Sequence, residues 1–146
     1  MVQGGSYAGE VSIEETWEAL RTSPEAVLID VRTQAEWTYV GVPALDAIGK
    51  EPVLIEWQSF PSGARDPGFV QRLADHLQEL GLSNDAPLYF ICRSGSRSRS
   101  AAAAMAAAGF TKCFNVTPGF EGPLDQDGHR NAVSGWRMSG LPWTQS

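Results

Sequence analysis

The amino-acid sequence predicts an α/β domain with a central, mostly parallel sheet of five strands and helices on both of its faces. Two observations carry this. Short, predominantly apolar runs at residues 26–31, 52–57 and 87–92 have the length and the β-branched or aromatic content of buried strands. Between them lie stretches in which apolar residues recur at helical spacing, and strands alternating with helices at such intervals build parallel sheets.

The first short strand is expected near Glu10 and Val11, after small polar residues with no periodic pattern. Ser12 followed three residues later by Glu15 is a capping box, and Ile13, Trp17 and Leu20 give a helix over 13–21 its apolar face. Pro24 separates that helix from a strand at 26–31, whose end delivers Asp30 and Arg32. A short helix at 34–39 and a break at Gly41 and Pro43 lead into a third strand at 52–57 and a loop at 59–66. Asp66 as N-cap and Pro67 as first helical residue open a helix with Phe69, Leu73, Leu77 and Leu80 on one face, closed by Gly81. A fourth strand, 87–92, ends on Cys92. The alanine-rich segment 97–108 has high helix propensity and stops at Gly109, and residues 112–116 supply the fifth strand. From 118 onward, glycine and proline exclude long regular elements, and Trp57, Trp136 and Trp143 are expected to anchor loop and tail to the domain.

Composition sets the frame for function. With 146 residues, 42% of them hydrophobic, the chain can close one core without disulfide staples. A single domain is expected over 10–146, behind a flexible arm at 1–9 and with an ordered tail from about residue 118. A net charge of −6 disfavours nucleic acid and anionic membranes as partners, so any anion site has to be built locally from basic residues. The apolar stretch 101–108 is too short to span a bilayer and the first residues lack the order of a signal peptide, so the expected location is the cytoplasm. Cys92 and Cys113 make no disulfide framework, and no Cys/His cluster has zinc-site spacing, so no metal is expected.

Parallel α/β sheets bind ligands beyond the carboxyl ends of their strands, and Cys92 sits there, between a strand and a helix N-terminus. Gly95 lets the turn close so that successive N–H groups face inward as an anion-binding nest under the helix dipole. That field, with Arg93 and Arg97, favours the thiolate, the nucleophilic form of cysteine. A cysteine that merely finishes a buried strand has no need of two arginines, three serines and a glycine in its next six positions. Their presence assigns Cys92 to chemistry on an anionic ligand.

The loop Cys92-Arg93-Ser94-Gly95-Ser96-Arg97-Ser98, set before an alanine-rich helix, resembles the active-site loop of rhodanese-like domains. Asp30-Val31-Arg32, then Glu36-Trp37 and Gly41-Val42-Pro43, resemble the family's first signature, and Asn115-Val116 through Gly119-Phe120 resemble the stretch after its last strand. The resemblance spans residues 11–120 and implies a three-layer fold with a five-stranded parallel sheet. It implies a thiosulfate sulfurtransferase in which Cys92 accepts sulfane sulfur from a small anionic donor such as thiosulfate, as a persulfide. The sulfur then passes to a thiol, cyanide or a protein acceptor, without metal or organic cofactor. Arg93, Ser94, Gly95, Ser96, Arg97 and Ser98 would bind the persulfide and the anionic donor. Asp30, Arg32 and Glu36 are implied as structural support, Asp30 near the loop and Arg32 paired with Glu36. One departure is that Gly41-Val42-Pro43-Ala44-Leu45 lacks the histidine that many members carry after the glycine.

Two alternatives remain open. One is a rhodanese-like sulfur carrier or regulatory module without turnover. The other is a cysteine phosphatase or arsenate reductase, ranked lower because only four residues separate Cys92 from Arg97, one short of the cradle those enzymes build, and because Ile91 precedes the cysteine in place of histidine. Among other reactive side chains, Cys113 reads as core, His76 and Arg99 as solvated, and His129 as fixing the tail by a hydrogen bond.

Overall fold

Strand β1 (Gly9–Val11) runs into the capping box that the sequence announces: the Glu15 N–H donates to Ser12 Oγ at 3.0 Å and the Ser12 N–H to Glu15 Oε1 at 2.8 Å. In this computed structural model, which describes residues 7–59, 62–131 and 133–145, that box starts α1 (Ile13–Thr22). There follow β2 (Val27–Asp30), α2 (Gln34–Tyr39), β3 (Val42–Pro43), β4 (Val53–Leu54), α3 (Phe69–Glu79), β5 (Leu88–Ile91), α4 (Ser96–Ala107), β6 (Cys113–Val116) and β7 (Trp143–Thr144). Five strands form one parallel sheet in the order β1-β6-β5-β2-β4. β3 and β7 form a separate antiparallel pair that ties the tail back to the segment after α2.

Strand β5 and the first three residues of β2 are apolar because both faces of the sheet are covered. Alternate side chains of β5 part company: Leu88 and Phe90 pack with Phe69, Leu73 and Leu77 of α3 and Met105 of α4, while Tyr89 and Ile91 pack with Ile13 and Leu20 of α1 and with Phe120 and Trp136. Trp136 is fully buried, and its indole N–H donates to Pro142 O at 2.7 Å, which fixes the tail to the α1 side of the sheet. Trp57 is buried edge-on against Phe69, and Trp143 lies under the Arg137 guanidinium.

Several boundaries differ from the sequence reading, for local reasons. Asp66 and Pro67 precede the third helix instead of opening it: Asp66 Oδ1 accepts from Gly68 N–H at 2.8 Å in a turn, and α3 starts at Phe69. The third strand of the sheet shrinks to Val53–Leu54, at the sheet's edge. The expected break at Gly41 and Pro43 is instead strand β3, because the tail offers Trp143 and Thr144 as its partner. The expected flexible arm overlaps regular structure, since Ala8 N–H donates to Cys113 O at 2.8 Å and Gly9 begins β1; residues 1–6 of that arm, and residues 60 and 61 of the expected loop at 59–66, lie outside the described residues. Among the described residues, no helix is long and apolar enough to cross a membrane.

Candidate active site

β2 and β5 are adjacent parallel strands, paired from Val27–Leu88 to Asp30–Ile91, so their carboxyl ends open side by side. From β2 the chain goes on to β4 on one side, and from β5 to β6 on the other, which makes this the point where a crevice forms in an open α/β sheet. Cys92 is the first residue past β5, Val31 the first past β2 beside it, and Arg32 comes next.

Between Cys92 and α4 the backbone turns sharply at Gly95, whose φ of +114° lies in the region that favours glycine. The turn folds the start of α4 over the thiol. Cys92 Sγ receives the Gly95 N–H at 3.2 Å and the Ser98 N–H at 3.4 Å, and Ser98 Oγ lies 3.2 Å away. The sulfur is thus surrounded by donors at a helix N-terminus, where the partial positive charge of the helix favours an anion. The N–H groups of Ser94, Ser96 and Arg97 have no acceptor among the described residues. Cys92 is only 1% exposed, so the sulfur lies beneath the loop and not on its surface.

The tail clamps the loop from outside. Phe120 N–H donates to Cys92 O at 2.8 Å, and the Glu121 and Gly122 N–H groups to Arg93 O at 3.0 and 3.1 Å. The backbones meet so closely at Gly119, φ +94°, that a Cβ there would lie 2.7 Å from both Cys92 O and Arg93 O.

The charged residues pair differently from the expectation. Arg32 does not reach Glu36. Its Nε and Nη2 fork onto Asp30 Oδ1 and Oδ2 at 2.9 and 2.7 Å, Nη2 also donates to Gly41 O at 2.7 Å, and the guanidinium lies 4.1 Å from the Phe120 ring centroid. Asp30 and Arg32 are both fully buried, and Arg32 Nη1 has no hydrogen-bond partner among the described residues. Two residues apart past a strand end, the pair is close enough to close on itself. Glu36 instead binds Arg97, at 2.7 and 2.9 Å in a two-pronged pair, while also accepting the Thr33 N–H as the capping box of α2. Burial pushes the Glu36 carboxyl up, but the Arg97 hydrogen bonds and charge outweigh it and, with Thr33, hold it at about 2.

Arg97 is therefore neutralised at its inner edge, and Arg93, exposed at the loop tip, has no carboxylate partner among the described residues. A cavity of about 600 Å³ opens beside the loop, lined by Arg93, Arg97 and Arg130 together with Glu36, Glu121, Tyr39 and Gln58. Cys92 is not in its wall. Ser94 is half-buried and Ser96 exposed at the loop, whereas Ser98 is fully buried.

Glu10 and Arg130 were given no site role by the sequence reading, and Asn115 and Gly119 entered it only within the stretch that resembles the family's last-strand segment, also without a role. Asn115 carries a further signal, as a polar residue inside an apolar strand. It is fully buried, with Nδ2 donating to Glu10 Oε2 and Gly95 O and Oδ1 accepting from Ser98 Oγ at 2.5 Å. Arg99 is not merely solvated, since its Nε donates to Glu10 Oε2 at 3.0 Å. Cys113 is core: burial pushes its thiol up to about 12. His76 is exposed beside Glu79, and His129 is exposed with no side-chain hydrogen bond among the described residues, its N–H donating to Asp125 Oδ1 at 2.8 Å. No group of three His, Cys, Asp or Glu side chains among the described residues is placed to hold a metal ion.

The parallel five-stranded sheet with helices on both faces, and Cys92 beneath a helix N-terminus at its switch point, is a rhodanese-like α/β fold. The chain belongs to the STR4 middle domain family, whose model matches residues 8–146. The crystal structure of Rv0390 from M. tuberculosis superposes with a TM-score of 0.86 at 45% identity, covering 97% of this chain and all of that one. An uncharacterized protein of Rickettsia prowazekii is 35% identical over 129 residues, 88% of this chain and 91% of its own. Rhodanese-like domain-containing protein 4, chloroplastic, of Arabidopsis thaliana is 27% identical over 137 residues, which are 94% of this chain and 26% of its length. The fold is shared with a rhodanese-like domain protein from Staphylococcus aureus, TM-score 0.51 at 20% identity over 77% of this chain and 87% of that one.

Proposed function

We propose that the protein is a sulfurtransferase that carries sulfane sulfur on Cys92. The observation that carries this reading is the set of groups around Cys92 Sγ: two backbone N–H groups and a hydroxyl, at 3.2–3.4 Å, under a helix N-terminus. The relationship to a plant protein whose name includes a rhodanese-like domain supports it.

In this scheme the Cys92 thiol gives its proton to water, and the thiolate attacks the outer sulfur of a donor such as thiosulfate. A new S–S bond forms on Cys92, the donor's S–S bond breaks, and its electron pair leaves with sulfite. The terminal sulfur then extends from Cys92 by about 2 Å, and the Ser94, Ser96 and Arg97 N–H groups, which have no acceptor among the described residues, are the loop donors left to receive it. Attack on it by cyanide, a thiol or a protein nucleophile returns the electron pair to Cys92. Arg93 and Arg130, at the cavity wall, attract the anionic donor in a protein that is acidic overall.

Thiosulfate and cyanide should give thiocyanate and sulfite in equal amounts with wild-type protein and neither with Cys92→Ser. Thiocyanate formation that survives the substitution, or its absence from reduced wild-type protein, overturns turnover. Phosphate release from a phosphotyrosine mimic that depends on Cys92 would favour the phosphatase alternative.

A further inference from the structure

Behind the Ser98 hydroxyl lies a buried polar chain that the transfer scheme does not use. Ser98 Oγ stands 3.2 Å from Cys92 Sγ and 2.5 Å from Asn115 Oδ1. The Asn115 amide is fixed by what its nitrogen meets: Glu10 Oε2 at 2.9 Å and Gly95 O at 3.1 Å are both pure acceptors, so Nδ2 faces them and Oδ1 must face Ser98. Oδ1 can only accept. A serine hydroxyl has one proton, and here three acceptors lie around it: Asn115 Oδ1 at 2.5 Å, and Cys92 Sγ and Gly95 O each at 3.2 Å, so Asn115 is the nearest competitor of the sulfur.

We propose that Asn115, anchored by Glu10, is a positioning residue that turns Ser98 into a two-way partner for the Cys92 sulfur. With Cys92 as thiol, the Ser98 proton points to Asn115 Oδ1, and the S–H donates to the free lone pair of Ser98 Oγ. With Cys92 anionic, the hydroxyl rotates and donates to sulfur beside the Gly95 and Ser98 N–H groups. The sulfur keeps a hydrogen bond in both protonation states, but in the anionic state Asn115 Oδ1 gives up its donor, and that loss is what couples Asn115 to the thiolate. Extension of the same donation to a persulfide rests on the sulfurtransferase reading; the thiol and thiolate arrangement does not.

The anchor is built to stay charged. Glu10 Oε2 also accepts from Arg99 Nε at 3.0 Å and from Tyr7 Oη at 2.6 Å, and these hydrogen bonds, Arg99 foremost, hold the carboxyl at about 2. The other charged groups around the loop are Arg97 with Glu36, Asp30 with Arg32, Arg93, and Glu121 and Arg130 of the tail, none of which hydrogen-bonds the Ser98–Asn115 pair. They are the same in every variant below.

The test is the rate at which iodoacetamide alkylates Cys92 across the pH range, followed by intact mass, in wild type, Ser98→Ala, Asn115→Ala and Glu10→Ala. Near neutral pH, Ser98→Ala should react on the order of tenfold more slowly, because the thiolate loses a hydrogen bond to a charged acceptor. Asn115→Ala should react severalfold faster than wild type, because the Ser98 proton loses its nearest competitor for the sulfur and keeps only Gly95 O, at 3.2 Å, as another acceptor. Glu10→Ala should shift the same way by less, since an amide with one anchor spends time flipped, with its nitrogen donating to Ser98 Oγ. All four rates should converge at alkaline pH, where the thiol is ionised in each. Changes of the same sign in Ser98→Ala and Asn115→Ala, or rate differences that persist unchanged at alkaline pH, overturn the proposal. If Asn115→Ala does not fold, the surface variant Glu10→Ala decides by its sign. Alkylation needs no sulfur donor, so failure of wild-type protein to accept sulfur would defeat the sulfurtransferase reading and leave this result standing.

Discussion

Glu36→Gln removes a charge while keeping a side chain of the same shape, and so isolates what the Glu36–Arg97 pair contributes. Both side chains are 19% exposed, with the carboxylate gripped by Arg97 at 2.7 and 2.9 Å. A carboxyl held at about 2 in place of its ordinary 4.5 contributes stability that is fully present above pH 4.5 and disappears as pH falls toward 2. That contribution is at most about 3 kcal/mol. Glutamine keeps one oxygen for Thr33 or Arg97, so the expected loss at neutral pH is about 1–3 kcal/mol. Urea denaturation of both proteins at neutral pH and at descending pH measures it. The gap should be widest at neutral pH and close as pH falls from 4.5 toward 2. A second consequence concerns the site: Arg97, released from its counter-charge, raises the positive potential at the cavity, so thiosulfate should load Cys92 faster and with a steeper salt dependence. A gap that does not change with pH, or a variant as stable as wild type at neutral pH, would refute the reasoning on the pair. Loading that is slower than wild type would refute its link to the anion site.

Gly119→Ala would place a methyl 2.7 Å from the backbone oxygens of Cys92 and Arg93 at a φ of +94°, and should cost about 2–4 kcal/mol in urea denaturation while slowing sulfur loading; a change under about 1 kcal/mol would show that the tail does not clamp the loop. Arg32→Met leaves Asp30 charged and fully buried, and should lower stability by about 3–5 kcal/mol, part of which returns in the double variant with Asp30→Asn; equal stability of the two variants would remove the buried pair from the account. Cys113, fully buried and pushed up to about 12, should stay unmodified by iodoacetamide in native protein at mildly alkaline pH and react only in denaturant, as peptide mapping would report.

How much of this was legible in the sequence depended on how local the cause was. Apolar runs and the Ser12 capping box carry their structure within a few residues, and they gave five parallel strands and the start of α1. The dense run of arginine, serine and glycine after Cys92 likewise located the turn that folds over the sulfur. Pairing between distant segments left no such mark. Glu36 and Arg97 are 61 residues apart, and the family resemblance implied Arg32 as the partner of Glu36 instead, although Arg32 is sequestered by Asp30 from two residues away. The same holds for β3 with β7, where an apparent break became a strand because the far end of the chain supplied a partner. Glu10 joins the site only because β1 lies beside β6, pairing Glu10 with Asn115 in the sheet register. The third helix shows a milder failure: Asp66-Pro67 has the composition of a helix start, but the side chain of Asp66 closed a turn first.

The central claim is that Cys92 accepts sulfur. Reduced full-length protein mixed with thiosulfate, passed through gel filtration and weighed intact, tests it most directly. The account predicts a gain of one sulfur atom, released by cyanide and absent in Cys92→Ser. Wild-type protein that gains no sulfur while its Cys92 thiol is demonstrably reduced, or a gain that persists in Cys92→Ser, would contradict it.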